Sequence, residues 1–424
     1  MKLATTLEEA RELDATDPLA ALRSQFALPR ARDGSELRYL CGHSLGLAPL
    51  GARTRVNEEL DSWEQLGVEG HHLGMRPWID YGELPRATLA QLAGAEVGEV
   101  IAMNSLSVNL HLLLASFYRP QHGRIRILIE AGAFPSDRHI VASQLAWHGY
   151  DPRSALIELA PRSGEDLLRQ EDIEAAIESE AGRLALVLWP GVQYRTGQWF
   201  DPAAITRAAH RAGAMAGFDL AHGIGNVPLA LHDSGADFAA WCSYKYLNAG
   251  PGAIGGAFVH ARHAAARDLP RLAGWWGHDA ATRFRMGPEF LAMSGAAGWQ
   301  VSNPPIFSCA PLLASLELFA TAGMPALRAK SLSLTASFET LLLRHCGSAI
   351  EILTPADVEQ RGCQLSVRLR CEPAQARERF AQLAAQGVVA DWREPDIIRL
   401  SPVPLYNRFE DIYHVAVRLG ELLR

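Results

Sequence analysis

An α/β fold built on a mostly parallel sheet, with helices on both faces and a smaller α+β unit after it, is what this sequence predicts from three observations. From about Glu99 onward, short β-branched or apolar runs alternate with amphipathic stretches, the pattern of strands joined by crossover helices. After the Pro304-Pro305 pair the alternation gives way to a long helical tract and then to a separate set of strand and helix patterns. The length, 424 residues of which 48% are apolar, exceeds what one ordinary core accommodates and suits a large domain with a smaller companion.

Taken in order, strands are expected at residues 100–103, 125–129, 156–159, 184–189, 216–220 and 238–242, each a short apolar run. Helices fall between them at 107–117, 136–147, 173–178 and 202–211. The last opens well, with Asp201 at a cap position and Pro202 in the first turn. Beyond Pro305, helices are expected at 312–320 and 324–345, then a strand at 364–369, a helix at 374–385 and a strand at 397–400. The expected division is a large domain over 61–310 and a small α+β domain over 311–424, with segment 1–60 packing on the small domain. No repeat stands out.

A formal charge of −7 without a basic stripe gives no footprint for nucleic acid, so no such partner is expected. The start of the chain carries Glu8, Glu9, Glu12 and Asp14 and lacks the apolar run of a signal peptide, which points to a cytoplasmic protein. The longest apolar stretches stop well short of the roughly 20 residues that cross a bilayer, so no membrane span is expected. Six cysteines (Cys41, Cys242, Cys309, Cys346, Cys363 and Cys371) include no C-x-x-C pair. That reads as free thiols, with neither a disulfide framework nor a zinc site. His71 and His72 are adjacent, but no metal-ligand spacing accompanies them, and no metal is expected.

The densest polar cluster in the apolar middle of the chain is Gly217-Phe218-Asp219-Leu220-Ala221-His222, followed by Trp241-Cys242-Ser243-Tyr244-Lys245-Tyr246-Leu247-Asn248. Both groups sit at the ends of expected strands, where open α/β sheets bind ligands. Pyridoxal phosphate (PLP) chemistry needs a lysine amine to bond the cofactor's aldehyde and an acid to keep the pyridine nitrogen protonated. Lys245 and Asp219 supply that pair. The plain alternative, a helix cap and a surface lysine, is weakened because Lys245 is set among Trp, Cys and Tyr, where an unpaired ammonium is costly.

Asn104-Ser105-Leu106-Ser107 opens a helix whose free amides form a phosphate seat, a simple serine cap being the equal alternative. The loop Ala133-Phe134-Pro135-Ser136-Asp137 brings an aromatic ring and a carboxylate after another strand. Phe134 has the shape to stack on a planar cofactor, although an aromatic in a loop is more often simple packing. Gly250-Pro251-Gly252-Ala253-Ile254-Gly255 matches G-x-G-x-x-G, but a strand at 256–260 follows it where a dinucleotide site needs a helix. These glycines are instead expected to make a tight turn that lets backbone approach a phosphate.

Asp219-Leu220-Ala221-His222 with Gly225-Asn226-Val227, and the run from Trp241 to Gly250, resemble the signature of kynureninases within the fold type I PLP enzymes. Further matches run through nearly the whole chain: Arg76-Pro77-Trp78, Phe134-Pro135-Ser136-Asp137, Tyr194-Arg195-Thr196-Gly197-Gln198, Gly274-Trp275-Trp276-Gly277-His278, Ser302-Asn303-Pro304-Pro305 and Pro402-Val403-Pro404-Leu405-Tyr406-Asn407.

The resemblance implies a large domain with a mostly parallel, seven-stranded type of sheet, and roles residue by residue. Lys245 would hold PLP covalently, Asp219 would pair with the pyridine nitrogen, and Phe134, within Phe134-Pro135-Ser136-Asp137, would stack on the ring. Leu106, Ser107 and Tyr244 would bind the phosphate, and Asp137 and His222 would complete the polar surround. Arg399 would clamp the substrate carboxylate. His71, Trp275, Ser302 and Asn303 would form the aryl end of the pocket, part of it across a homodimer interface, with Trp275 and Asn303 also touching the cofactor.

The implied reaction is hydrolytic cleavage of kynurenine or 3-hydroxykynurenine to alanine and an anthranilate, with Lys245 moving the α proton and Tyr244 as acid. The pairing of His71 with Asn303 resembles pockets that take the 3-hydroxy substrate. The implied setting is cytoplasmic tryptophan catabolism, the kynurenine pathway that also feeds NAD biosynthesis, with a secondary-metabolite route left open. His43 is a departure, because relatives usually carry Asn there, so the N-terminal contact to the site is the least determined. A cysteine desulfurase, the nearest rival, usually has His before the lysine, where this chain has Tyr244.

Overall fold

In the computed structural model, which describes residues 2–121, 123–266 and 269–424, seven strands form the central sheet. Met1, which heads the acidic start, lies outside the described residues. The strands are β1 (Val100–Ala102), β2 (Arg126–Glu130), β3 (Leu156–Leu159), β4 (Leu184–Pro190), β5 (Met215–Asp219), β6 (Phe238–Trp241) and β7 (Gly256–Val259). They lie in the order β1-β7-β6-β5-β4-β2-β3. Every pairing from β6 through β3 is parallel, and β7 alone runs antiparallel to its neighbours β1 and β6.

The inner strands are largely apolar on both faces because both faces are covered. In β2, Ile127 and Ile129 point into one core while Leu128 points into the other. In β4, Leu186 and Leu188 share the first core, and Val187 and Trp189 the second. Helices α3 (Leu106–Phe117) and α4 (Pro135–Trp147) cover the first face with Leu110, Phe117, Ile140 and Leu145. Helices α5 (Gln170–Ser179) and α6 (Pro202–Arg211) cover the second with Ile173, Ile177 and Ile205. Asp201 caps α6 as expected, accepting from the Ala203 amide at 2.8 Å.

Two helices run longer than their sequence patterns suggest. Helix α5 begins at Gln170, not at residue 173. Helix α7 (Ile306–Ala322) begins six residues before the expected 312 and continues through Pro311. Burial of Cys309, Ala310 and Leu312 beneath it outweighs the one backbone hydrogen bond that the proline cannot make.

Helix α8 (Met324–Cys346), a four-stranded antiparallel sheet and α9 (Pro373–Ala385) follow, and α10 (Phe409–Leu423) closes the chain. They share a third core that includes Leu334, Phe338, Val367, Ile398, Ile412 and Leu419. The N-terminal helix α1 (Leu7–Ala15) lies on α10, where Asp14 accepts from the Phe409 and Glu410 amides at 2.7 and 2.9 Å. Arg38–Tyr39 pairs with Val388–Val389. By contrast α2 (Leu50–Leu66) runs along α7, and Leu19, Leu22, Phe26 and Leu47 join the core of the large sheet. No single helix among the described residues is long and apolar enough to cross a bilayer, and α7 turns by 81° into the helix that follows.

Candidate active site

Parallel strands put their carboxyl ends on one edge of the sheet, so the loops after β1, β2, β4, β5 and β6 converge there. They enclose a cavity whose wall includes Leu106 and Ser107 after β1, Phe134, Ser136 and Asp137 after β2, Val192 and Tyr194 after β4, Asp219, Ala221 and His222 at the end of β5 and beyond it, and Cys242, Tyr244 and Lys245 after β6. Glu130, the last residue of β2, lies in the same wall.

Lys245 brings its amine into this cavity. Its Nζ lies 3.1 Å from Nε2 of His222 and 5.7 Å from the centroid of the Phe134 ring. Burial, with the positive charges of Lys245 and Arg399 adding to it, holds His222 well below the usual imidazole range. The ring is therefore neutral, Nε2 accepts from the lysine, and the proton on Nδ1 has no protein partner.

Lys245 is the one lysine or arginine among the described lining residues, against three carboxyls: Glu130, Asp137 and Asp219. Burial raises Asp219, and burial together with the neighbouring Asp219 charge raises Asp137 well above the carboxylate range. The shared proton therefore rests on Asp137, and Asp219 is the more acidic of the two. The Ala221 amide donates to Asp219 Oδ1 at 2.6 Å and fixes its orientation. Burial lifts Glu130 to about 8. A buried group of acids facing one lysine has room for a second cation, and a protonated pyridine nitrogen against Asp219 meets that need. Asp137 Oδ1 has no hydrogen-bond partner in the protein and is a further polar atom available to a bound ring.

At the other end of the cavity, Ser105 occupies the cap position of α3 but its hydroxyl takes no amide of the first turn. The serine-cap alternative therefore fails, and the amides at the start of the helix stay open to an anion. The hydroxyls of Ser107 and Ser136 meet at 2.9 Å beside them. Gly255 presses on this turn: a Cβ there would sit 3.2 Å from the Leu106 nitrogen and 2.9 Å from the Trp241 carbonyl oxygen. Gly250 and Gly252, at φ +84° and +74°, make the turn before it, and strand β7 follows where a dinucleotide site needs a helix. Amides, paired hydroxyls, an amine and a carboxylate on one cavity fit PLP along its whole length.

Leu106, Ser107, Phe134, Ser136, Asp137, Asp219, His222, Tyr244 and Lys245 are thus brought together. Pro135 begins α4 without lining the cavity. His71, Trp275, Ser302 and Asn303 do not line it within one chain. His71 packs edge-on against Trp78, and Trp275 Nε1 donates to Asn303 Oδ1 at 3.0 Å on a surface where Trp275 is 41% exposed. Arg399 is buried and already engaged: Nε and Nη2 reach Asp391 Oδ1 at 2.8 and 2.7 Å, and Nη1 donates to the Tyr194 carbonyl at 2.7 Å. Glu130 was not named by the sequence reading, and Tyr194 and Cys242, which lay in quoted runs, were given no role in the site. Glu130 left the one usable signal, a carboxylate ending an apolar strand.

A family described as the kynureninase C-terminal domain matches residues 327–419, and the aminotransferase class-V family matches residues 69–370. The chain is 57% identical, over 96% of its length and 96% of the relative's, to a protein named kynureninase from Xanthomonas campestris pv. campestris (strain B100). It is 58% identical to one of the same name from Myxococcus xanthus (strain DK1622), over 97% of this chain and 96% of that one. Among solved structures, a lysine-to-alanine mutant of C-DES with glycine covalently linked to its PLP cofactor matches with a TM-score of 0.75 at 18% identity, over 94% of this chain and 99% of that one. The cysteine desulfurase CsdA from Escherichia coli matches with a TM-score of 0.75 at 19% identity, over 96% and 98% of the two chains. These structural matches establish the fold type I architecture.

Proposed function

Because the chain belongs to the kynureninase family and is accordingly a PLP-dependent hydrolase acting on a carbon-carbon bond, we propose that the cavity at Lys245 cleaves the side chain of kynurenine and 3-hydroxykynurenine, releasing alanine and an anthranilate. The observation that carries this reading is one half-buried amine, that of Lys245, facing the Asp219 and Asp137 carboxyls across a cavity that ends at an open helix terminus.

Bound PLP supplies an aldehyde that bonds an amine and a protonated ring that draws electrons from the substrate's α carbon. Asp219 would accept from the ring nitrogen and keep its proton in place, and the α3 amides with Ser107 and Ser136 would hold the phosphate. Lys245 takes the proton from the α carbon, and His222, neutral at its side, accepts from the lysine amine and orients it. Water adds to the carbonyl carbon beside the aryl ring, and the bond from that carbon to the substrate's β carbon breaks. Tyr244 keeps its proton at neutral pH because burial raises its hydroxyl, so it is the acid for the β carbon of the departing alanine. Arg399 has five N–H groups, of which Asp391 and Tyr194 engage three, and the remaining pair takes the substrate carboxylate.

The aryl end of the site is completed by His71, Trp275, Ser302 and Asn303 of a second copy of the chain. Exposed Trp63, Val68, Leu73, Met75, Trp275 and Phe307 support such a homodimer interface. This reading places the protein in cytoplasmic tryptophan breakdown. A desulfurase reading needs a thiolate, whereas Cys242, the cysteine in this wall, is buried and its thiol is pushed up to about 11. The direct test is to mix protein, PLP and kynurenine and to follow anthranilate fluorescence. Lys245→Ala should lose both turnover and the visible absorbance of the bound cofactor, and a variant that keeps turnover overturns the assignment.

A further inference from the structure

The loop Cys41-Gly42-His43-Ser44-Leu45-Gly46 is wedged between two parts of the site. On one side the Gly46 amide donates to the Tyr244 carbonyl at 2.8 Å, and a Cβ on Gly46 would collide with the Lys245 carbonyl oxygen and with Asn248. On the other side a Cβ on Gly42 would collide with the Tyr406 hydroxyl and with Val403. Two glycines are therefore required for the loop to fit, and between them His43 is driven fully inside, at 0% exposure. Neither of its ring nitrogens has a hydrogen-bond partner in the protein. A fully buried imidazole with both nitrogens idle is rare, because each polar atom taken from water normally finds a replacement.

The surroundings say what kind of partner suits it. The His43 ring centroid lies 6.3 Å from that of His222, the lysine's neighbour. A ring nitrogen lies within 4.8 Å of Cys41 Sγ and of an Asp391 carboxylate oxygen, the acid that binds Arg399. Burial, followed by the charges of Arg399, Lys245 and Arg393, keeps the ring deprotonated, leaving one N–H donor and one acceptor. A divalent cation on Cys41, His43 and Asp391 fits poorly. Those three positive charges face it, Asp391 Oδ1 is already held by Arg393 and Arg399, and the half-buried Cys41 thiol is pushed up to about 11. A buried N–H donor in a positive field, next to the acid that orients Arg399, calls for an anion instead.

We propose that the ring N–H of His43 donates a hydrogen bond to the carboxylate of the amino-acid substrate, beside the guanidinium of Arg399. The inference rests on the reading of Arg399 as the carboxylate's main partner. It adds a second donor, which fixes where the carboxylate sits and so the direction in which the α proton faces Lys245.

The test is equilibrium binding to the PLP-loaded protein by calorimetry, with no turnover involved. One probe is kynurenine with its α-amino group replaced by hydrogen, a keto acid that has no α-amine to react with the cofactor's aldehyde. The other is the matching neutral ketone without the carboxylate. His43→Leu should weaken the keto acid about tenfold and leave the ketone unchanged, while His43→Asn, which retains an N–H, should stay within about threefold of the unaltered protein. Unchanged keto acid affinity in His43→Leu, or equal losses for both probes, overturns the proposal. Arg399→Lys is run alongside. If it weakens the keto acid while His43→Leu does not, the inference about His43 falls alone, and if neither does, the reading of Arg399 falls too. Should His43→Leu fail to fold, the imidazole N–H resonance lost in His43→Asn identifies His43 by NMR. That resonance should move with the keto acid and not with the ketone, and a signal indifferent to both also overturns the proposal.

Discussion

Nζ of Lys245 and Nε2 of His222 stand 3.1 Å apart across a cavity wall in which no other lysine or arginine lies among the described residues. Burial keeps the imidazole neutral, so the histidine takes the lysine's hydrogen bond without competing for its proton. His222→Phe keeps the volume and removes the acceptor. It should lower kcat about 10- to 100-fold with a smaller change in KM, as steady-state kinetics will read. A loss below twofold would mean that the lysine is oriented by something else.

Asp219 and Asp137 separate under substitution. Asp219→Asn removes the charge that holds the ring proton and should reduce kcat by at least about 100-fold while the protein still takes up PLP. Asp137→Asn replaces the member that already carries the proton and should cost far less. Equal losses in the two variants, measured as kcat at saturating cofactor, would contradict the assignment of the shared proton to Asp137.

Glu130 makes the PLP-free protein sensitive to pH. Its folded pKa is raised to about 8, above an unfolded value near ~4.3, so the folded chain holds a proton that the unfolded chain releases between those limits. Stability therefore falls as pH climbs through that window, by up to about 1.4 kcal/mol per unit for this group. Glu130→Gln removes the term, and it should raise Tm more at pH ~8 than at pH ~5. A Tm gain that is flat with pH would remove Glu130 from the account.

Asp237 has the opposite sign. His210 and His263 reach its two carboxylate oxygens at 2.9 Å, the Ala216 amide donates at 2.8 Å, and these contacts hold the buried acid far below the usual carboxylate range. Its stability contribution is present above about pH 4 and is lost as pH falls toward the depressed value. Asp237 precedes β6 and so stands at the end of the sheet away from the cavity. Asp237→Asn should cost about 2 kcal/mol of stability in denaturant melts and leave kcat unchanged.

A site completed by a second subunit predicts complementation. Lys245→Ala and Trp275→Ala protomers, each inactive as homodimers, should recover about a quarter of full activity when refolded together in equal amounts, because half of the dimers are mixed and each of those holds one intact site. Activity that stays at the level of the separate variants would place Trp275 outside a shared site.

Much of this was legible along the chain. Strand residues 156–159 and 397–400 and helix 202–211 coincide with their patterns, because hydrophobic alternation and the Asp201-Pro202 start are local causes. Asp219 and Lys245 could be paired because each lies at or just beyond the end of a strand, and parallel strands bring their ends together. What needed the tertiary structure is the company each side chain keeps. Arg399 is engaged by Asp391 and by Tyr194, 205 residues away, so its free valence is smaller than its sequence context suggests. Glu130 and Asp137 become an acid cluster with Asp219 only when β2 and β5 deliver the three to one cavity. His43 is an ordinary loop residue until two glycines drive it between the lysine loop and Tyr406. Periodicity and capping act over a few residues and can be read from the chain, whereas burial, pKa and an unmet hydrogen bond are set by atoms that only packing brings near.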